Sequence, residues 1–348
     1  MIPDTMTFAK AQVVSVSAPQ TAAIAGSDTS EQVQTLTADI LDGPEKGATR
    51  TFQNDYIQLT VGDIFYLRHT TNSTDHTDRY SVADPYRLDT LFYLALGFLV
   101  LTFLFGGWQG VRGLAALAGS IALIFFALIP GILAGYSATL VAIGISVAII
   151  ILGSYITHGW NRTTTAAVLG MILTVAMTGA LAYLSVHAAH LSGYTEEAVY
   201  LNFDTRGGID FVGLLFSGIM IGLLGVLYDI AIGQAIAVEE LFRAGLHLTR
   251  RDVYLRGLRI GREHIGALIN TLAIAYVGVS LPLLLLIAHS SDTGLLFTLN
   301  SEIFSTEIIR ILIGSIGLVL AVPITTLIAS YMLSSVRGTS ASAHSHHH

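Results

Sequence analysis

Asp229 is the only formally charged residue in the apolar segment 211–238, and this isolation makes it the first candidate for chemistry. An ionisable side chain at the centre of a membrane helix costs about 2.5–3.5 kcal/mol on insertion scales, so such residues often belong to ion or proton pathways. Glu240 follows three helical turns later and would share one helix face with Asp229. The pattern predicts a cation or proton site at Asp229, or a carboxylate that only pairs with a neighbouring arginine.

A second polar group lies in and just before the apolar segment 265–288: Arg262, Glu263, Asn270, Thr271 and Tyr276. Glu263 and Asn270 are seven residues apart, which places them on one helix face. If this segment runs antiparallel to 211–238, Asn270 lies at roughly the depth of Asp229. An acid, an amide and a hydroxyl there would suit a hard cation or a proton relay. The alternative is that the amide and the hydroxyl only form interhelical hydrogen bonds.

Two further groups lie toward the other end of the apolar segments. Glu307 and Arg310 are three residues apart, so they predict either a helix-face ion pair or an outer mouth for a charged solute. His187 and His190 have the same spacing and are followed by Glu196 and Glu197. They leave a metal site open, although solvated histidines at a membrane interface explain them as well. No cofactor is predicted, apart from a cation or proton at Asp229.

The amino-acid composition is that of a membrane protein. Hydrophobic residues make up 53% and charged residues only 12%, whereas soluble proteins carry about 25% charged residues. Mean hydropathy is +0.66, which excludes a disordered chain, a coiled coil and a nucleic-acid binder. Cysteine is absent, so there is no disulfide or thiolate chemistry. No nucleotide-binding loop, zinc-protease motif or hydrolase elbow occurs in the sequence, so enzymatic activity is not indicated.

Seven segments are apolar over roughly the 20 residues that a helix needs to cross a bilayer. They predict a polytopic α-helical membrane protein with spans at 88–105, 113–133, 138–156, 164–186, 211–238, 265–288 and 308–333. Between the fifth and sixth of these, Thr249 and Asp252 have the spacing of a capping box, which predicts a helix start at Arg250. The transmembrane bundle is predicted over 85–338, and 339–348 is a tail that ends in a histidine run typical of a tag.

Residues 1–84 have the pattern of a separate β domain. Alternating residues at 34–41, 51–59, 63–69 and 80–82 are bounded by turns such as Gly62-Asp63, so they predict short strands in a small β-barrel or sandwich. Arginines predict the orientation of the spans. Nine fall in loops on one side, and two, Arg206 and Arg310, on the other. The arginine-rich side is cytoplasmic by the positive-inside rule, which puts the β domain outside a bacterial inner membrane and the C-terminus inside.

Several motifs resemble the YibE/F-like family of bacterial integral membrane proteins. They are the segments 41–47, 62–63, 84–87, 224–231, 261–266, 270–272, 275–276, 280–282, 307–310, 314–317 and 323–326. The resemblance implies a membrane protein, with a transporter as one activity, and gives weight to Asp229, Arg262, Glu263, Asn270 and Tyr276. Glu263 stands where the family usually has Asp, and Gly233 lies near a usual Ser.

Three functions fit these features. The first is an ion- or proton-coupled secondary transporter of an unidentified solute, in contact with membrane lipid. The second is a membrane scaffold or sensor whose external β domain binds a protein partner. The third is an intramembrane enzyme acting on lipid, with Asp229 and Glu263 as acid and base.

Overall fold

The structure, a computed structural model, describes residues 5–23, 30–72, 77–194, 208–245, 247–289 and 294–334. The chain divides into two compact units, Met1–Leu104 and Phe105–His348. The domain limits predicted from the sequence, 1–84 and 85–338, stay predictions. The predicted tail 339–348, like Glu196, Glu197 and Arg206, lies outside the described residues.

The first unit contains an antiparallel β-sheet. Its described strands are β1 (Thr5–Val16), β2 (Gln20–Ala23), β3 (Ser30–Ile40), β4 (Thr49–Asn54), β5 (Ile64–Thr71) and β6 (Asp78–Pro85). The strand order is β2-β3-β1-β5-β6, and β4 pairs with β3. The sequence predicts β3 to β6 but gives no prediction of β1, the central strand, or of β2.

The sheet curls around a small core rather than closing into a barrel or packing against a second sheet. Alternate residues face inward, so Ala11, Leu36 and Phe65 are fully buried. The rings of Phe52 on β4 and Phe65 on β5 lie 6.2 Å apart, although these strands are not paired in the sheet. The predicted β domain is therefore observed as a half-barrel, whereas its location outside the membrane stays a prediction.

The regular structure of the remaining described chain is helical. They are α1 (Leu88–Leu123), a π-helical turn (Ile124–Leu128), α2 (Ile129–Leu133), α3 (Ala138–His158), α4 (Arg162–Ala188), α5 (Phe211–Ala244), α6 (Arg250–Val279), α7 (Leu281–His289), α8 (Leu295–Asn300) and α9 (Glu302–Met332). Helix α6 begins at the predicted capping box. The Thr249 hydroxyl accepts from the Asp252 amide at 3.2 Å, and the Thr249 amide donates to the Asp252 carboxylate at 2.9 Å.

Among the described helices, five segments are long and apolar enough to cross a membrane: Leu88–Leu133, Ala138–His158, Arg162–Ala188, Phe211–Ala244 and Glu302–Met332. The first covers two of the seven predicted spans. As one straight helix its 46 residues would measure about 70 Å, more than twice the ~30 Å hydrocarbon core. Gly107, with φ 51° and ψ −142°, interrupts its helical backbone. The predicted span 265–288 falls on α6 and α7, which do not meet these criteria. The division into seven spans stays a prediction.

The core of the helical unit is formed by α4, α5 and α9, which pack closely through small residues. A Cβ on Gly317 of α9 would lie 2.9 Å from the Thr178 side chain of α4, so only glycine fits at that contact. Ile219 and Leu227 of α5 and Leu318 of α9 are fully buried beside it. Such close approach through small residues is how membrane helices gain packing energy without a hydrophobic driving force between them.

Side chains of α1 satisfy carbonyls at the end of α3. The Gln109 amide donates to the Thr157 carbonyl at 3.0 Å, and Arg112 Nε donates to the Ile156 carbonyl at 2.8 Å. The last four carbonyls of a helix have no partner within it, so these bonds cap α3 from outside.

Candidate functional site

Asp229 lies in the middle of α5, the longest described helix of the bundle core. Its side chain is exposed, and among the described residues it forms no hydrogen bond and no ion pair within 4 Å. The alternative that Asp229 only pairs with an arginine is therefore not observed. Within the described ranges, no partner group offsets the cost of placing this charge among apolar helices.

Asp229 faces a cleft of about 270 Å³ between α5 and α6, which Val322 of α9 closes on one side. The polar lining consists of Asp229, Gln234 and His264. A water molecule occupies about 30 Å³ of liquid, so the cleft has room for several waters or a hydrated ion. The cleft thus combines one acid, one imidazole and one amide with enough space for a small polar guest.

Gln234 fixes the floor of this cleft by joining three helices. Its side-chain amide is buried and donates two hydrogen bonds of 2.7 Å, to the Gly257 carbonyl of α6 and to the Thr326 hydroxyl of α9. Gly257 and Gly261 of α6 make this approach possible, because a Cβ at either position would collide with α9 or with Gln234. The junction fixes the rotation of α6, and His264 of this helix lines the same cleft as Asp229.

The structure does not bring the other predicted residues of this region to the cleft. Those that are exposed elsewhere on their helices are Glu240, Arg262, Glu263, Asn270 and Thr271. Glu240 lies 3.9 Å from Arg243, and the Thr271 hydroxyl donates to the Ala267 carbonyl of its own helix at 2.9 Å. Their assignment to a translocation path stays a prediction.

A second polar cluster lies where α5, α6 and α9 meet, closer to the N-termini of α5 and α9 than the cleft is. Glu307 and Arg310 form an ion pair of 2.8 Å, as their spacing predicts. Both charges lie close enough to act on the hydroxyl of Tyr276, which sits over Gly222 of α5. Arg310 Nε is buried and has no hydrogen-bond partner within the described ranges. The structure thus brings Tyr276 within electrostatic range of Glu307 and Arg310, with no hydrogen bond between them in the described chain, whereas the sequence had placed them in separate groups.

His187 and His190 line a different cavity, of about 730 Å³, at the opposite end of α5 from Gln234. Asp210 also lines it, but its carboxylate caps α5 through the Gly213 amide at 2.9 Å. His187 Nδ1 contacts the Tyr183 carbonyl at 2.8 Å. No group of three His, Asp or Glu side chains suited to a metal ion occurs in the described part of the chain.

The β-sheet carries its own charged network. Arg50 on β4 donates to Glu45, and Tyr80 on β6 donates to the same carboxylate at 3.1 Å. His69 on β5 lies 3.4 Å from Glu45 and 2.9 Å from Asp78. The hydrogen bond from Arg50 lowers the pKa of Glu45, and bonds from Thr71 and His69 lower that of Asp78. Burial and the nearby Glu45 raise the pKa of Tyr80.

The apolar helices and their small-residue contacts define a multi-helix membrane protein. A buried polar junction and an unpaired carboxylate lie between its helices. The YibE/F-like protein family matches residues 94–335, which is more than two thirds of the chain, and the chain belongs to that family. The match covers the cleft and the Tyr276 cluster, and it does not extend to the N-terminal segments 41–47 and 84–87. No curated protein and no solved structure matches the chain.

Proposed function

We propose that this protein is a secondary transporter in which a proton or another small cation binds at Asp229. The observation that supports this most directly is the Asp229 carboxylate, unpaired among the described residues, in a cleft that His264 also lines and that can hold water. Retaining an unpaired acid inside a membrane helix is costly, and the usual reason is that its charge changes during function. The sequence contains no nucleotide-binding motif, which favours ion coupling over ATP hydrolysis.

In this proposal the ion passes between two polar levels of the same three helices. The lower level is Asp229, Gln234 and His264, and the upper level is the Glu307–Arg310 pair with Tyr276. Leu272, which is buried against Gly314, lies between them on α6. Movement of α6 relative to α5 and α9 would connect the two levels.

The proposal includes the orientation and location predicted from the sequence. The protein would lie in a bacterial inner membrane with seven spans, the β domain outside and the C-terminus inside. The arginine count and the length of Leu88–Leu133 support this arrangement.

The test uses the full chain in proteoliposomes that contain a fluorescent pH indicator. Imposed proton or sodium gradients should collapse faster than in protein-free vesicles, and Asp229→Asn should abolish this acceleration. His264→Gln should change its dependence on pH. The matched control is Asp89→Asn, which removes an exposed carboxylate at the start of α1 and should leave the flux unchanged.

Wild-type flux in Asp229→Asn would contradict the proposal. So would a wild-type protein that collapses neither gradient faster than protein-free vesicles do.

A further inference from the structure

Helix α6 carries a basic stripe on the side that faces away from the bundle. The stripe consists of Arg251, Leu255, Arg259 and Arg262, all exposed. Their spacings of four, four and three residues keep them on one helix face. The opposite face is buried through Val253, Gly257 and Gly261, which fixes the direction in which the stripe points.

The arginines of the stripe have no acidic partner among the described residues. None of the three forms an ion pair within 4 Å. Two acids of the same helix lie close to the stripe in sequence: Asp252 is occupied in the capping box with Thr249, and Glu263, four residues after Arg259, forms no ion pair among the described residues. The stripe therefore presents three guanidinium groups that no carboxylate of the described residues holds in an ion pair.

The part of α6 that carries the stripe packs alongside the C-terminal turns of the apolar helix α9. Arg250, at the start of α6, stacks over the ring of Tyr331, which is in the last turn of α9. Gly257 packs against Thr326 of α9, further into that helix. The stripe is about 17 Å long, so it runs along the last turns of a helix that is itself a candidate membrane span. This is the level at which a span meets the membrane surface.

We propose that the basic stripe of α6 binds the phosphate groups of anionic phospholipids. Guanidinium groups bind phosphate through paired hydrogen bonds, and arginine side chains can extend from within the bilayer toward the headgroups. Leu255, 52% exposed between two of the arginines, would enter the boundary between headgroups and acyl chains. A soluble phosphate ion has no apolar group that this leucine could contact, whereas a phospholipid has acyl chains. A lipid therefore fits the stripe better than free phosphate. Binding would hold α6 against the membrane surface at the end nearest Gln234.

The test measures lipid binding by the full chain in nanodiscs of equal parts zwitterionic and anionic phospholipid. Native mass spectrometry counts the anionic lipids that the released protein retains. A basic residue near an anionic surface contributes about fivefold in affinity, so the double variant Arg251→Gln/Arg259→Gln should lose roughly 25-fold. Leu255→Gln keeps every charge and should bind more weakly than wild type. Arg79→Gln removes one exposed positive charge from β6 and should retain wild-type binding.

Wild-type retention of anionic lipid by the double variant would overturn the proposal. Equal retention of anionic and zwitterionic lipid by the wild-type protein would also overturn it. Because the chain lacks cysteine, Leu255→Cys provides a single reactive site. If this variant forms disulfide-linked pairs to the same extent in neutral and anionic membranes, the stripe is covered by a second copy and the lipid assignment is wrong.

Discussion

Substitution of Gly261 by alanine should weaken the junction of α5, α6 and α9 more than the same change elsewhere on α6. A Cβ at position 261 would overlap Val322 of α9 and would lie 2.9 Å from Gln234 Oε1. Both neighbours are buried and held by surrounding contacts, so moving either of them away from the new Cβ would cost free energy. Overpacking of this kind costs about 1–3 kcal/mol.

Gly266 of the same helix provides the matched control, because a Cβ there would meet nothing within 4 Å. Both substitutions gain the higher helix propensity of alanine, which is about 1 kcal/mol. We therefore expect Gly266→Ala to be slightly more stable than wild type. Gly261→Ala should be less stable than Gly266→Ala by about 1–3 kcal/mol, because only the alanine at position 261 overlaps neighbouring side chains.

The free energy of unfolding can be measured on the full chain in mixed micelles, with dodecyl sulfate as denaturant and circular dichroism as the signal. Gly257→Ala, whose Cβ would lie 2.8 Å from Thr326 Cγ2, should behave like Gly261→Ala. Equal stabilities of Gly261→Ala and Gly266→Ala would show that α6 does not pack closely at this junction.

Two further predictions concern regions outside the core of the bundle. Thr249→Ala removes the cap of α6 and should lower the free energy of unfolding by about 1 kcal/mol, with a local increase in amide exchange over the first turn; unchanged exchange there would contradict the capping role. The pKa values of Glu45 and Asp78 are lowered by folding, so their contribution to stability is present above their unfolded pKa values of about 4 and is lost as the pH falls further. Thermal unfolding of the β-sheet between pH 6 and pH 3 should show this loss, and Glu45→Gln should reduce it; an equal acid dependence in that variant would contradict the assignment.

The sequence predicts most of the helices because a membrane span leaves a strong signal in composition. It also predicts the start of α6, since both capping residues are local and are confirmed in place. The β1 strand is not predicted because the residues that it packs into the core include small ones, the buried Ala11 and the partly buried Ala9, which do not stand out as a hydrophobic pattern. A central strand that is defined by its pairing with neighbouring strands, and not by its own alternation of apolar residues, cannot be found from local periodicity.

The candidate site is predicted only in part. The isolation of Asp229 is readable from the sequence, because one charge in a long apolar segment is unusual. His264 is not predicted as its neighbour, since the face that α6 turns toward α5 depends on contacts between helices. The one local signal is the row Gly257, Gly261, His264 and Leu268, spaced by four, three and four residues. The link between Tyr276 and the Glu307–Arg310 pair likewise depends on how three separate helices pack.

The charged network of Glu45, Arg50 and Tyr80 has a consequence for the β-sheet as a surface. Edge strands of a β-sheet carry unpaired amides and carbonyls that can pair with strands of other molecules. Natural proteins suppress this pairing with charged residues and by covering the edges. β4 and β6 are border strands here, and the Glu45 carboxylate binds side chains from both. A single carboxylate thus links the two edge strands and places charged groups beside them, an arrangement that disfavours pairing of these edges with strands of another copy.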